Sequence, residues 1–167
     1  MTRIALDAMG GDRAPTETVA GAVAASAQGV DVLLVGDERV LAEQLRALGG
    51  DLPIRHAPEV VAMADDPARA IREKPESSVA VCARLVKDRE ADGFVSAGST
   101  GAAMASAAIL IGRVPGVLRP AIATIFPTRG TSTIMVDSGA SPEVKPEHLV
   151  QFGEMGAALA EIGLGVP

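Results

Sequence analysis

The sequence predicts an α/β fold, a mainly parallel sheet with helices on both of its faces. Three observations carry this reading. Short apolar runs alternate with stretches whose apolar residues recur every three or four positions, the pattern of buried strands joined by crossover helices. Glycine, proline and aspartate punctuate the transitions between the two. Aromatic side chains are scarce, with three Phe and no Tyr or Trp, so the core must be built from Ala, Val, Leu and Ile. Such side chains suit helices packed closely on a sheet.

The elements follow in order. Residues 3–7 read as a strand, and Gly10-Gly11-Asp12 breaks the chain after it. Pro15 opens a helix with Val19, Val23 and Ala27 at four-residue spacing, and Gly29 ends it. Val32-Leu33-Leu34-Val35 is a buried strand. Asp37 is placed to cap a helix carrying Leu41, Leu45 and Leu48 on one face, with Gly49-Gly50 as its stop. Residues 53–57 form a third short strand with His56 near its end. Residues 63–76, rich in charge and holding Pro67 and Pro75, read as a loop with a helical turn, Asp65-Asp66 serving as a loop and cap feature. Ser77 or Ser78 starts a helix in which Cys82, Leu85 and Val86 share a face. Gly93-Phe94-Val95-Ser96 is the next strand, and Ser99-Thr100-Gly101 opens a helix reaching about Gly112. Two strand-like runs, 121–126 and 133–137, precede a last helix from Pro146 with Phe152, Met155, Leu159 and Ile162 on one stripe. The expected arrangement is three-layered and Rossmann-like.

At 167 residues the chain can bury one sizeable core. It closes on Gly163-Leu164-Gly165-Val166-Pro167, which reads as a turn toward another strand. Residues 1–167 are therefore expected to be a single α/β domain or the N-terminal half of a longer two-part enzyme. A net charge of −6 speaks against a nucleic-acid binder, and the missing aromatics leave no platform for stacking bases. No apolar run reaches the roughly 18 residues of a membrane span. An acid follows the start almost at once, unlike a signal peptide, and the single Cys82 cannot form an internal disulfide. The expected compartment is the cytoplasm.

Ligands of open α/β sheets bind beyond the carboxyl ends of the strands. Four segments fall at such ends: Met9-Gly10-Gly11-Asp12, His56, Ser96-Ala97-Gly98-Ser99-Thr100-Gly101 and Asp137-Ser138-Gly139-Ala140. The third combines three hydroxyls and two glycines before a helix, which suits a phosphate cradle and equally suits a tight turn with a Ser cap. No GxGxxG and no GxxxxGK[ST] occurs, so dinucleotide and triphosphate readings are weak. Arg69, Arg72 and Lys74 beside Ser77-Ser78 read as an anion site or as a solvated charged loop. His56 is a proton-transfer group or a hydrogen-bonded strand-end histidine. Cys82, at helical spacing among apolar residues, reads as packed and inert. No Cys or His pair has metal-ligand spacing, so no metal is expected. The residues alone reach a phosphate-binding α/β enzyme.

Ile4-Ala5-Leu6-Asp7-Ala8-Met9-Gly10-Gly11-Asp12 with Ala14-Pro15 resembles the opening of the PlsX-type phosphate acyltransferases. Three further segments resemble the family in order: 70–78, 93–102 and 116–121; Gln151-Phe152 and Met155-Gly156 continue the likeness. Ser99 and Ser141 stand where the family usually carries Asn. Both swaps keep a hydrogen-bonding group but shorten its reach. Family members are longer, and their second half, with its own glycine-rich and acidic motifs, has no counterpart here. These residues alone are therefore expected not to turn over.

The resemblance implies a fold like that of phosphotransacetylases and isocitrate-dehydrogenase-like enzymes. It implies transfer of a fatty acyl group from acyl carrier protein to inorganic phosphate, giving acyl-phosphate for phospholipid synthesis. A homodimer without cofactor, peripheral at the membrane at most, is the form it implies. On that basis Ser96, Gly98, Ser99, Thr100 and Gly101 bind phosphate, with Gly10 and Gly11 beside them. Lys74, Ser77 and Ser78 supply charge or hydrogen bonds, and His56 relays a proton. Asp7, Asp12 and Asp137 orient these groups. Two rival readings are a phosphotransacetylase-like enzyme acting on acyl-coenzyme A and a non-catalytic phosphate-binding or dimerisation fragment.

Overall fold

The computed structural model describes residues 2–129, 132–139, 141 and 143–165. The first strand, β1 (Arg3–Asp7), pairs in parallel with β2 (Asp31–Gly36) on one side and with β4 (Gly93–Ser96) on the other. The third strand, β3 (Ile54–His56), pairs in parallel with β2, so the sheet order is β3-β2-β1-β4. Every pairing in this sheet is parallel, as the uninterrupted apolar run 32–35 requires of a strand covered on both faces. Val32 and Leu34 point to one side, where they pack with Val19 and Ala22 of α1 (Thr16–Ala27) and Leu41 and Leu45 of α2 (Glu38–Leu48). Leu33 and Val35 point to the other, meeting Val81, Cys82 and Leu85 of α4 (Ser78–Lys87). The pleat thus sorts alternate residues of one strand into two cores.

Local chemistry sets the helix ends. Asp37 caps α2, its carboxylate accepting from the Val40 N–H at 3.0 Å, and Gly49 ends the helix at φ 65°. Asp66 does the same for α3 (Pro67–Glu73), accepting from the Arg69 N–H at 2.8 Å with Pro67 as the first helical residue. The segment 63–76 therefore holds two turns of helix where one was expected, because cap and proline act together. Ser77 precedes α4, but its hydroxyl donates to the Lys74 carbonyl at 2.8 Å instead of capping the helix. Cys82 is fully buried, and burial, helped by the nearby Asp7 charge, pushes its thiol far above the ordinary range. Helix α5 (Thr100–Ser106) begins at the Ser99 cap and continues as a π-helical stretch, Ala107–Ile111.

The chain divides into two compact units, one reaching Gly112 and one from Arg113 onward. In the second unit β5 (Ala123–Pro127) and β6 (Ser132–Val136) form an antiparallel hairpin. Helix α6 (Pro146–Leu164) packs on β6 through the buried Phe152, and Gly165 ends it at φ 64°. The Gln151 side chain ties the preceding turn to α6: its Oε1 accepts from the Leu118 N–H at 2.8 Å and its Nε2 donates to the Gly116 carbonyl at 2.9 Å. Two segments that carried the family resemblance meet in that pair of bonds. Ala140, Val166 and Pro167, singled out in the sequence, lie outside the described residues.

Candidate functional site at the switch point

The strands β1, β2 and β3 step outward on one side, and the chain then crosses back to place β4 on the other side of β1. The loops after β1 and β4 consequently part at the switch point, where open α/β sheets hold their ligands. Asp7 ends β1 and Ser96 ends β4, and the parallel register sets them opposite each other. The Ser96 hydroxyl donates to Asp7 Oδ2 at 2.6 Å and accepts from the Gly98 N–H at 3.1 Å. Asp7 is 3% exposed, and its Oδ1 is buried with no hydrogen-bond partner.

Glycine is required around this pair. A Cβ on Gly10 would lie 2.4 Å from Asp7 Oδ2 and 2.9 Å from Ser96 Oγ, and one on Gly98 would lie 3.1 Å from the Gly10 Cα. Either would drive the loops apart. Gly11 holds φ 123°, a conformation open to glycine, with its backbone against the Ala97 carbonyl. Asp7, Gly10, Ser78, Ser96, Gly98 and Ser99 line a small semi-enclosed cavity, closed on another side by Val60 and Val61. Its volume is about 10 Å³, room for about one water. Two helix starts meet there, those of α4 at Ser78 and α5 at Ser99. Ser99 Oγ is engaged by the Ala102 N–H at 3.3 Å, so this residue both caps α5 and lines the cavity.

The structure thus brings together six of the residues singled out in the sequence. Ser77 is buried just behind them. Gly101 is glycine for packing, since a Cβ there would meet the Pro67 ring at 2.7 Å. Thr100 and Asp12 are exposed.

Two expected partners in the first unit are placed elsewhere. His56 is exposed on the edge strand, where its Nδ1 accepts from the Glu38 N–H at 3.2 Å in a groove with Asp37 and Arg39. Val40's amide bond holds the Asp37 carboxyl below its usual range, with the Arg39 amide and charge adding to it. Lys74 donates to Asp65 at 2.7 Å and to the Val60 carbonyl at 3.0 Å, so it fastens the loop carrying Val60 and Val61. The Lys74 ammonium in turn holds the Asp65 carboxyl below its ordinary value. Asp137 belongs to the second unit, where it accepts from the Ile122 N–H at 3.4 Å. The valines of the cavity wall were missed in the sequence, because nothing in their own segment marks them as facing a ligand.

A doubly wound sheet with paired small-residue loops at its switch point places this chain among the open α/β proteins. It belongs to the family described as fatty acid synthesis protein, whose model matches residues 2–167. A phosphate acyltransferase of Desulforamulus reducens is 50% identical over all of this chain and 51% of its own length. One from Thermus thermophilus is 49% identical over 95% of this chain and 48% of its own. The chain spans about half the length of the curated relatives it matches. The phosphotransacetylase EutD of Staphylococcus aureus shares the fold, with a TM-score of 0.67 at 20% identity over 95% of this chain and 52% of its own. Among the described residues no helix is long and apolar enough to cross a membrane.

Proposed function

We propose that the switch-point cavity binds inorganic phosphate and that the chain serves an acyltransferase moving a fatty acyl group from acyl carrier protein to that phosphate. The observation that carries the reading is the pair of glycine loops locked by Asp7 and Ser96 beside two helix starts. Its membership in a family whose relatives carry the name phosphate acyltransferase supports the rest.

The chemistry asks little of the protein. A thioester is already activated, and phosphate is the nucleophile. A phosphate oxygen attacks the acyl carbon, the carbon–sulfur bond breaks, and the phosphate proton passes to the departing sulfur. The products are acyl-phosphate and the free carrier thiol. The chain's own task is to fix the anion in line with the carbonyl and to keep water away. The remaining first-turn amides of α4 and α5 are the donors for the anion, the Ser78 N–H being taken by the Glu59 carbonyl at 3.0 Å and the Ala102 N–H by Ser99 Oγ. Lys74 acts through the loop it fastens rather than at the phosphate.

The reading takes the cytoplasm as the compartment, with peripheral membrane contact and a homodimer as its working form. At a net charge of −6, an acidic carrier must dock on a local basic patch, for which Arg69, Arg72, Arg84 and Lys87 are the candidates. The test is thiol release from acyl carrier protein thioester by the full-length enzyme, with and without phosphate. Release that requires phosphate and yields acyl-phosphate is expected. Equal release without phosphate, or a strong preference for acyl-coenzyme A, would overturn it.

A further inference from the structure

The switch-point cavity has room for about one water, less than a phosphate ion needs. A wall must therefore yield when the anion enters, and the walls are not held alike. Gly10 and Gly98 stand on loops in close contact, locked by the bonds of Asp7 and Ser96. Val79 and Ala102 belong to α4 and α5 and are buried with Ile71. The wall made by Val60 and Val61 lies outside helix and strand.

Among the described residues one ion pair fastens that wall. The Lys74 ammonium donates to the Val60 carbonyl at 3.0 Å and to Asp65 Oδ2 at 2.7 Å. Asp65 Oδ2 also accepts from the Ala62 N–H at 2.9 Å, and the Asp65 N–H donates to the Ala62 carbonyl at 3.1 Å. The two ends are tied separately. Glu59 accepts from the Ser78 N–H at 3.0 Å, and Asp66 caps α3 through the Arg69 N–H. Residues 60–65 thus form a strap between two fixed points. The side chains of Lys74 and Asp65 are 36% and 32% exposed, so water competes for their pairing and either group is solvated once it parts. The contacts of Val61 with the Ile71, Val79 and Ala102 cluster oppose release and keep the strap down while no anion is bound.

We propose that residues 60–65 are a strap that closes the phosphate site in the free protein, latched by Lys74 and Asp65, and that it lifts for the anion to enter. The inference rests on the phosphate reading above and deepens it. The latch bonds are made in the closed form and lost in the bound one, so they work against phosphate. Only molecules with the strap lifted are competent, and the apparent affinity falls by that fraction. Lys74 therefore opposes the anion, the reverse of what its charge beside Ser77 and Ser78 suggests.

The test is calorimetric titration of the full-length protein with inorganic phosphate near neutral pH. Lys74→Met and Asp65→Asn should each tighten phosphate binding by about fivefold, the worth of a partly exposed ion pair expressed as a ratio. A second readout needs no substitution. Hydrogen exchange of the Ala62 amide should quicken as phosphate approaches saturation, whereas filling a preformed site would leave it unchanged or slow it. Affinity that is unchanged or weaker in both variants overturns the strap and leaves the phosphate site standing. Weaker binding in Lys74→Met alone overturns it too, and returns Lys74 to the anion. So does an Ala62 amide that fails to quicken at saturation. No phosphate binding by the unaltered protein sinks the phosphate reading and the strap with it. Should either substitution prevent folding, the Ala62 amide of the unaltered protein decides.

Discussion

The two units of the chain put the same kinds of residues to different use. In the first, β2 is covered on both faces, and its side chains alternate between two separate cores. In the second, a two-stranded hairpin has one helix against it, and among its described residues Phe152 is the one buried apolar side chain. Ile162 is 85% exposed there, and Leu149 and Val150 are exposed near the other end of the same helix. An isolated hairpin is marginal in water, so α6 carries much of that unit's order. A sheet held from both sides can keep two loops distant in sequence in close van der Waals contact. That is what Gly10 and Gly98 need, and the first unit is where the candidate site lies.

The largest effect expected from this contrast is at Gly98. A valine there puts a branched side chain against the Gly10 backbone and fills the cavity, while the two cores beneath are untouched. Gly98→Val in the full-length enzyme should lower phosphate-dependent turnover by about a hundredfold with the far-ultraviolet spectrum unchanged. An unaltered KM for phosphate would place the site elsewhere.

Much of the first unit was legible in the sequence, and the reason is local. Asp37, Gly49 and the run 32–35 each announce their role within a few residues, through a cap, a left-handed stop and two-sided burial. The site was legible only as a set of small-residue segments. The bond between Asp7 and Ser96 joins residues 89 positions apart, and no local pattern reports it. Lys74 misled for a related reason. Its charge beside two serines suggests an anion site, but the partner it finds is Asp65, nine positions away on the same loop system. The antiparallel pairing of β5 with β6 was equally hidden, since strand-like runs do not state their direction.

The next effect in size concerns the second unit. Phe152→Ala removes its one buried apolar anchor and should cost about 3 kcal/mol of local stability. Hydrogen exchange should show α6 amides opening faster while those of β1 and β2 stay protected. Uniform protection across both units, before and after the substitution, would break the comparison drawn above.

A smaller effect is expected at Lys74. Because Asp65 has a folded-state pKa below its unfolded value, its pairing contributes order that is present above the ordinary carboxylate range and lost as pH falls through the lowered folded value. The Ala62 amide, which donates to Asp65 at 2.9 Å, reports that loop directly. In the unaltered protein its exchange should quicken, beyond the intrinsic pH effect, as pH drops into the acid range. Lys74→Met should bring the same quickening at neutral pH and remove most of the pH dependence. Loss of turnover in Lys74→Met with the Ala62 amide still protected would instead point to a direct role at the phosphate.

The smallest effect is assigned to His56, and it separates the cavity from the rest of the strand ends. All three loops after β1, β3 and β4 sit at carboxyl ends, so position alone marks His56 as a proton relay as readily as it marks Asp7 as a ligand group. Geometry distinguishes them. Asp7 is buried at the switch point, whereas His56 is exposed on the edge strand and gives its Nδ1 to the first amide of α2. Removing that acceptor leaves an amide that water can reach, so His56→Ala should cost about 0.5 kcal/mol. Asp37 still caps the same helix through Val40, which limits the loss further. Turnover and the KM for phosphate should match the unaltered enzyme within error, across the pH range where histidine titrates. A tenfold fall in kcat with the melting temperature unchanged would restore His56 to the chemistry and show that the edge of the sheet, not its switch point alone, takes part.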